Sequence, residues 1–308
     1  MSDPSLAIIL VNWNGIDHTL KCLGSLGNID YQNFEIIVVD NGSELEEVEK
    51  LRALNKIVLI ENSKNLGFTG GNNVGIAYAI EKRFDMVMIL NNDTTVEPNF
   101  IAPIVQQLEN EDVGAVQPKI MSMHHPHLIW SLGGKFNTWK GWPETIEAGK
   151  LDNDITEPYC TDWLTGCCIV ARREIFEEVG LLDDDFFALC EDVDWSFRAK
   201  KKGLRLIIVP TSKIYHYESA STNTILPNAE GKRSPFRQYL HIRNHLYLIR
   251  KHPKRTILPF AYTYHIMRFL AFLLFYAIRN RPQKLRKTLI GFRDGLSSFK
   301  EVAPSELV

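Results

Sequence analysis

The chain has few cysteines, no internal repeat and no low-complexity segment. Its five cysteines are an odd number, and none of them shows the spacing of metal ligands. This usage excludes a metal site built on cysteines and favours a reduced cytosolic protein. The apolar run from Leu6 to Val11 is too short for a signal sequence. We expect it to form a first buried strand instead.

Acidic residues are almost missing from residues 231–300. This segment carries 16 Lys and Arg but only one acid, Asp294, so its formal charge is +15 within a chain of net charge −2. The other residues therefore carry −17. With 308 residues and 45% hydrophobic composition, the chain can form one large or two smaller domains. The charge pattern suggests an acidic catalytic body with a basic tail that meets nucleic acid or an anionic membrane surface.

Short apolar runs alternate with helical patterns before residue 96. The predicted strands are Leu6–Val11, Glu35–Asp40, Lys56–Ile60 and Met86–Asn91, and the predicted helices are Thr19–Leu26, Glu44–Leu54 and Asn72–Lys82. This alternation predicts βαβ units and an α/β fold with a largely parallel sheet. Further along the chain we expect strands at Cys167–Ala171 and at Leu206–Val209, the second stopped by Pro210.

Polar residues follow the predicted strands, at the carboxyl ends where parallel sheets bind ligands. Asn12 and Asn14 follow the first strand, and Asp40 ends the second. A carboxylate at Asp40 is able to accept hydrogen bonds from a nucleobase or a ribose hydroxyl. The alternative is that it caps the helix that begins at Glu44.

Residues 65–73 form a glycine-rich segment before the third helical pattern. We interpret it as a loop whose backbone N–H groups suit a diphosphate at a helix start. The segment does not follow the pattern G-x-G-x-x-G, which argues against a dinucleotide-binding dehydrogenase.

Asp93 follows the buried run Met86–Leu90 and is the candidate metal ligand. At the sheet edge its carboxylate suits Mg²⁺ or Mn²⁺, with a diphosphate completing the shell. The alternative is an Asx-turn that leads into the helix after Pro98. His216, placed just beyond the strand Leu206–Val209, is either a second ligand or a structural histidine.

Three carboxylates, those of Glu191, Asp192 and Asp194, fall within four residues after an apolar, aromatic run. Their mutual repulsion needs compensation by a cation or a substrate, so we expect one of them to act as a base. The alternative is an acidic first turn, stabilised by the helix dipole, on a helix that runs to Lys202 and stops at Gly203.

Taken in order, these motifs resemble the inverting glycosyltransferases of family 2, which have the GT-A fold. The closest resemblance is to rhamnosyltransferase-like members that build bacterial surface polysaccharides. The likeness covers roughly residues 5–220. The segments that carry it are Val11-Asn12-Trp13-Asn14-Gly15, Val38-Val39-Asp40-Asn41-Gly42-Ser43, residues 65–75, Leu90-Asn91-Asn92-Asp93, Asp162-Trp163-Leu164-Thr165-Gly166 and Glu191-Asp192-Val193-Asp194.

The resemblance implies roles for individual residues. Asp192 would be the catalytic base, supported by Glu191. Asp93 would match the last acid of the family's D-x-D metal motif, and His216 would complete the metal shell. Asn91 stands where that motif has its first acid. The acceptor side would include Trp163 and Gly166, and the nucleotide sugar would contact Val11, Asn12, Trp13, Asn14, Asp40, Gly67, Gly71, Asn72, Asn92 and Asp93.

The tail contains one long apolar segment, Ile257–Ile278, in which only His265 and Arg268 are ionisable. A transmembrane helix needs about 20 apolar residues. Arg268 near its middle would cost about 2.5–3.5 kcal/mol on insertion. Basic flanks favour a helix that lies in the membrane interface. The alternative is helices packed on the catalytic body or at a dimer interface.

These observations predict a GT-A catalytic domain at residues 1–230. Its nucleotide-binding half would span about 1–95 and its acceptor half about 96–230, followed by a basic, membrane-associating region at 231–308. The predicted protein is a metal-dependent inverting glycosyltransferase at the inner face of the cell membrane. It would move a sugar from a dTDP- or UDP-sugar to a glycan, most simply a lipid-linked one, in surface polysaccharide synthesis. Homo-oligomerisation stays open.

Two rival functions are less well supported by the residues. A sugar nucleotidyltransferase would need a glycine- and basic-rich triphosphate loop near residue 12, which the sequence lacks. A nucleic-acid-binding protein would use the basic tail. The aromatic residues there cluster in one apolar run instead of interleaving with the charges, so no nucleic acid partner is expected.

Overall fold

A computed structural model describes residues 3–152, 155–217, 230 and 234–297. The strands are β1 Leu6–Asn12, β2 Phe34–Asp40, β3 Val58–Glu61, β4 Met86–Leu90, β5 Thr94–Val96, β6 Val113–Ser122, β7 Ile129–Ser131, β8 Gly134–Asn137, β9 Trp142–Thr145, β10 Tyr159–Cys160, β11 Cys168–Arg172 and β12 Arg205–His216. The α-helices are α1 Ile16–Leu26, α2 Leu45–Arg52, α3 Gly67–Glu81, α4 Ile101–Leu108, α5 Arg173–Val179, α6 Glu191–Lys201, α7 Pro235–Lys251, α8 Leu258–Ile278 and α9 Pro282–Leu296.

The main sheet has the strand order β10-β12-β6-β11-β4-β1-β2-β3, with β5 beside β12 and β7 beside β6. Strands β1 to β4 run parallel, as do β6 and β12, whereas β11 runs antiparallel between β4 and β6. Successive residues of β1 alternate between two apolar cores, one on each face of the sheet. The predicted α/β fold with βαβ units is confirmed. The antiparallel strand β11 was not predicted, because the alternation of strands and helices does not reveal strand direction.

Strand β12 is longer than predicted. It continues through Pro210 to His216, and its pairing with β6 shifts register between Val209 and Lys213. A proline lacks the N–H that a regular ladder needs, and an irregularity of this kind removes that need. The prediction that Pro210 stops the strand was wrong, and His216 is the last residue of β12.

The glycine-rich segment is helical rather than a loop, because α3 begins at Gly67. A Cβ on Gly75 would lie 2.4 Å from Ile9, and one on Gly71 would lie 2.8 Å from Val11. The glycines therefore let α3 approach β1 closely. The interpretation of this segment as a loop was wrong.

The C-terminal helices differ in how they contact the rest of the protein. Leu248 of α7 is fully buried in a cluster with Phe186, Val193 and Phe197. Helix α9 packs along α7, while only 11% of the most apolar part of α8 is buried. The alternative of helices packed on the body therefore holds for α7 but not for the outer face of α8. The proposed division at residue 230 stays a prediction, and residues 231–233 lie outside the described part of the chain.

Candidate active site

The carboxyl ends of β1, β2 and β4 are joined by a chain of hydrogen bonds. The register places Asn12 opposite Asp40, and the Asn12 amide donates to Asp40 Oδ1 at 3.2 Å. Thr19 Oγ1 donates to Asn12 Oδ1 at 2.8 Å and accepts from the Asn92 amide at 2.9 Å. Three predicted motifs thus meet at one sheet edge. Sequence reasoning missed Thr19, whose only signal is its place three residues into α1.

Asp40 shapes the turn that follows it. Its Oδ2 accepts hydrogen bonds from the backbone N–H groups of Gly42 (3.2 Å) and Ser43 (3.1 Å), and the residue is 1% exposed. This is a local turn, since α2 begins only at Leu45. No side chain caps α2, so the alternative that Asp40 caps this helix was wrong. Direct contact of Asp40 with a nucleobase stays a prediction.

Residues 13 and 14 lie in the loop that follows β1, at this edge of the sheet. Asn14 is exposed with φ of 48°, Trp13 is half-buried, and the Asn14 N–H donates to Ser43 Oγ at 3.0 Å. The Asn14 side chain in turn accepts from the Glu44 N–H at 2.9 Å. The loop after β1 is thereby fixed against the turn after β2, and the Trp13 ring lies where it can be reached from solvent.

The start of α3 does not offer free backbone donors in the way expected. The Gly67 N–H donates to Asn65 Oδ1 at 2.8 Å, and the Thr69 N–H donates to the Phe187 carbonyl at 3.0 Å. The Asn72 amide donates to the Phe68 carbonyl at 2.8 Å within the helix. The Gly67 and Thr69 N–H groups thus already have partners within the protein, and diphosphate binding at this helix start stays a prediction. A role for Gly67, Gly71 or Asn72 in lining the donor site stays a prediction.

Asp93 and His216 form a buried pair at the same edge. The antiparallel pairing of β5 with β12 sets His216 opposite Thr94, so the two residues meet despite their distance in sequence. Asp93 Oδ1 lies 3.1 Å from His216 Nε2, and the Asn91 amide lies 3.3 Å from the same nitrogen. Among the described residues, His216 Nδ1 has no hydrogen-bond partner.

The pair fits a divalent cation in part. One carboxylate oxygen and one imidazole nitrogen converge, which are ligand types that Mg²⁺ or Mn²⁺ accepts. No cluster of three or more His, Cys, Asp or Glu side chains suited to a metal occurs in the described part of the chain. Further ligands would have to come from a bound diphosphate, as the sequence predicted.

Asp192 lies in the first turn of α6 with both carboxylate oxygens held. Oδ2 accepts from the Gly166 N–H at 2.9 Å and Oδ1 from the Val193 N–H at 2.8 Å. The Asn91 N–H bonds the Cys167 carbonyl at 2.9 Å, so Asp192 lies close to the Asp93 motif. Burial raises the pKa of Asp192, and the bonds from these N–H groups oppose the rise.

Glu191 is buried behind Asp192 and is 5% exposed. Its Oε2 has no hydrogen-bond partner among the described residues. Burial raises its pKa well above the usual range, and the neighbouring charge of Asp192 raises it further. Burial raises both pKa values, and it raises that of Glu191 more, so Glu191 holds a proton more readily than Asp192 does.

Asp194 is not available as a base. It is fully buried and accepts from His252 Nε2 (2.7 Å), Lys251 Nζ (2.8 Å) and Arg198 Nε (2.9 Å). Burial alone would raise its pKa, but the His252 hydrogen bond and the Lys251 and Arg198 charges outweigh burial and lower it to about 2. Asp194 therefore ties α6 to the end of α7.

The loop before α6 has an unusual backbone. Phe187, Leu189 and Cys190 have φ of 63°, 74° and 75°, in the left-handed region that side chains rarely adopt. The Asn244 amide of α7 donates to the carbonyls of Phe186 (3.0 Å), Ala188 (2.7 Å) and Leu189 (2.8 Å).

Arg243, the neighbour of Asn244, also holds this loop. Arg243 Nη2 donates to the Asp185 and Phe186 carbonyls at 2.6 and 3.1 Å. Sequence reasoning missed both residues. Helix α7 carries many polar residues, so nothing in the sequence singled out these two.

Trp163 lies in the core rather than at an open surface. The residue is 7% exposed, and a Cβ on Gly134 would lie 1.8 Å from its indole ring. Contact of Trp163 with an acceptor stays a prediction. Gly166 does lie beside Asp192, because its N–H binds the carboxylate.

Comparison with known proteins gives consistent relatives. A family model described as "Glycosyl transferase family 2" matches residues 7–180. The chain is 24% identical to "dTDP-rhamnosyl transferase RfbF" of Shigella flexneri, over 96% of each chain. It is 25% identical to "N-acetylglucosaminyl-diphospho-decaprenol L-rhamnosyltransferase" of Mycobacterium tuberculosis, over 70% of this chain and 77% of that one.

Solved structures show the same fold at lower identity. GalNAc-T7 with UDP, GalNAc and Mn²⁺ matches with a TM-score of 0.61 and 18% identity, over 83% of this chain and 52% of that one. The mannosyltransferase PcManGT of Pyrobaculum calidifontis, in complex with GDP-Man and Mn²⁺, matches with a TM-score of 0.55 and 16% identity, over 100% of this chain and 79% of that one. The predicted GT-A fold is thereby confirmed. With its family model matching more than half of the sequence, the chain belongs to glycosyl transferase family 2 and is a glycosyltransferase.

Proposed function

We propose that this enzyme transfers a sugar from a nucleoside diphosphate to an acceptor hydroxyl with inversion at the anomeric carbon, with Asp192 as the base. The observation that carries this is the position of Asp192. Two backbone N–H groups hold its carboxylate at the start of α6, next to the strand end that bears Asp93. A single base without a separate nucleophile suits a single displacement.

Asp192 would remove the proton of the acceptor hydroxyl as that oxygen attacks the anomeric carbon. The bond to the leaving diphosphate breaks in the same step. The N–H groups of Gly166 and Val193 fix the carboxylate direction, so little reorganisation is needed. Because burial raises the pKa of Asp192, the rate should fall on the acidic side at a higher pH than for an exposed aspartate.

Asp93 and His216 would hold Mg²⁺ or Mn²⁺ together with the donor diphosphate. Such an ion neutralises negative charge on the leaving group. The buried carboxylate and imidazole of this chain supply one ligand each, 3.1 Å apart. The two solved structures with the same fold contain Mn²⁺, which supports this assignment without distinguishing the two metals.

The donor is proposed to be a dTDP- or UDP-sugar, with rhamnose as the first candidate. Support comes from the name of the Shigella relative, a dTDP-rhamnosyl transferase. The acceptor is proposed to be a lipid-linked glycan of surface polysaccharide synthesis. Here the support is the mycobacterial relative, whose name specifies a diphospho-decaprenol acceptor.

The enzyme is proposed to work at the inner face of the cell membrane, with α8 lying in the interface. Among the described residues α8 is the one helix long and apolar enough to cross a membrane. His265 of α8 is buried against the protein, whereas its outer face exposes an apolar stripe of Phe260, Ile266, Met267, Leu270, Leu274, Phe275 and Ile278. The exposed Lys254 and Arg279 at its two ends suit an anionic surface. A stripe on one side favours lying in the interface over spanning it.

Transfer should be tested with a panel of nucleotide sugars, Mn²⁺ and lipid-linked acceptors, and the anomeric configuration of the product read by NMR. We expect inversion and a loss of about 10²–10⁴-fold in transfer for Asp192→Asn, with nucleotide affinity preserved. Asp30→Asn, at an exposed position, is the matched control. A retained configuration, or an Asp192→Asn variant with more than a tenth of the normal rate, would rule out the proposed role.

A further inference from the structure

Arg268 lies on the inner side of α8, where aromatic rings and imidazoles surround its guanidinium. Its Cζ is 4.0 Å from the centre of the Trp142 ring and 5.6 Å from two further aromatic rings. Nη1 lies 3.4 Å from His265 Nδ1, and Nη2 lies 3.4 Å from His241 Nδ1. Within the described part of the chain, no Asp or Glu forms an ion pair with Arg268.

This arrangement leaves a half-buried cation without a counter-charge. Burial disfavours the charged form and lowers the pKa of Arg268. The face of Trp142 compensates only in part, because a ring quadrupole attracts a cation less strongly than a carboxylate does. An anion that entered here would find a partly desolvated guanidinium.

The imidazole rings around Arg268 are further groups able to bind an anion. His245 stacks on Trp142 at 4.0 Å, and both His245 and His265 are 5% exposed. Burial lowers the pKa of His265 to about 4, and the Arg268 charge contributes. These rings are therefore neutral near pH 7, and each has one N–H donor. A proton taken up beside an anion would give each ring a second N–H donor.

The cluster of Trp142, His241, His245, His265 and Arg268 is formed by β9, which belongs to the proposed acceptor half, and by α7 and α8 of the C-terminal region. Burial raises the pKa of the Cys190 thiol and the Arg268 charge opposes this rise, so the guanidinium is near the residue that precedes Glu191. Trp142 stands in the hairpin β8–β9, whose Gly134 packs against Trp163. None of these elements contributes the donor-side residues at the ends of β1, β2 and β4.

We propose that this cluster binds phosphate oxygens of an anionic acceptor, namely the diphosphate that joins a glycan to its lipid. The proposal rests on the proposed function and deepens it. A planar guanidinium presents paired donors to phosphate oxygens, and neighbouring imidazoles supply further donors. A phospholipid headgroup offers the same oxygens, so the experiment must separate the two sources.

The test uses the full-length protein with geranyl diphosphate as the probe and geraniol as its uncharged counterpart. The variants are Arg268→Gln and Arg268→Lys, and the control is Arg286→Gln at an exposed position of α9. We expect geranyl diphosphate to bind the unmodified enzyme far better than geraniol. Arg268→Gln should weaken that binding about tenfold or more, Arg268→Lys should weaken it less, and Arg286→Gln should leave it unchanged.

Parallel measurements separate this role from others. Affinity for UDP with Mn²⁺ and donor hydrolysis should be unchanged in Arg268→Gln, and thermal melts should show a folded protein. If Arg268→Gln does not fold, Arg268→Lys and His241→Gln replace it. Loss of vesicle binding with unchanged geranyl diphosphate affinity would assign the cluster to headgroups and overturn the proposal. An unmodified enzyme that hydrolyses donor but binds geraniol as tightly as its diphosphate would also overturn it, and would leave the proposed function standing.

Discussion

Glu191 and Asp192 are adjacent carboxylates with different surroundings, and the difference should be measurable in stability. A raised pKa means that the folded state binds the proton of Glu191 more tightly than the unfolded chain, whose glutamates titrate near pH 4.3. Between about pH 4 and the folded pKa, the folded state must keep Glu191 protonated while the unfolded chain releases that proton, so the free energy of unfolding falls as pH rises.

Replacing Glu191 by Gln should remove this pH-dependent loss of stability. We expect the melting temperature of Glu191→Gln relative to the unmodified enzyme to rise between pH 4 and pH 7. Each unit of pH is worth about 1.4 kcal/mol, or about 2 °C for a chain of 308 residues. Melts across pH, with Glu49→Gln at an exposed position of α2 as control, check this. A difference that does not change with pH would contradict a raised pKa for the buried Glu191 side chain.

The pair Asp93 and His216 should control metal-dependent donor binding. Titration of UDP with and without Mn²⁺ should show that metal strengthens binding in the unmodified enzyme but not in Asp93→Ala, while His216→Ala shows a milder loss. Asn91→Asp, which restores the acid absent from the motif, should strengthen the effect of Mn²⁺ because it adds a carboxylate beside His216. Equal strengthening by metal in Asp93→Ala and the unmodified enzyme would exclude this site.

At the scale of elements, α7 holds the loop that precedes the proposed base, Asp192. Asn244→Ala should lower kcat about tenfold or more with little change in UDP affinity, because three bonds to the loop carbonyls are lost. Residues with positive φ relax once their restraints are removed. Steady-state kinetics and melts should be compared with Asn28→Ala, whose amide bonds a carbonyl on the exposed side of α1. A lower melting temperature with unchanged kcat would mean that Asn244 serves stability alone.

Elements with a strong local pattern were predictable from the sequence. The run Leu6–Asn12 and its partners are apolar on both faces, which is typical of strands in a parallel sheet. The site residues at their carboxyl ends followed from that topology. The helical state of Gly67 to Gly71 was not predictable, because glycines disfavour helices and the close approach of Gly71 to Val11 is visible only in the folded protein.

Other parts of the site depend on contacts between distant segments. His216 meets Asp93 only because β12 passes Pro210 and pairs with β5. Asp194 was grouped with the candidate bases because its partners, Lys251 and His252, lie more than fifty residues further along the chain. In the sequence, these two residues belong to the basic flank of the apolar segment Ile257–Ile278. Local patterns carry no information about such pairings.

At the scale of the whole molecule, the outer face of α8 should determine where the enzyme works. Leu274→Asp should abolish flotation with anionic vesicles while donor hydrolysis persists, because a charge is placed in the apolar stripe. Leu45→Asp is the matched control, since Leu45 is 65% exposed and Leu274 is 64% exposed. Full-length protein that stays in solution with anionic vesicles at low salt would end the membrane proposal.

The ion pairs of Asp194 have a consequence for biosynthesis. The ribosome synthesises α6 before Lys251 and His252. The Asp194 carboxylate therefore lacks these two partners until α7 has been synthesised. We expect the region around Asp194 to reach its final structure only after α7 has been synthesised. Partial products that end before α7 would then be unable to transfer sugars.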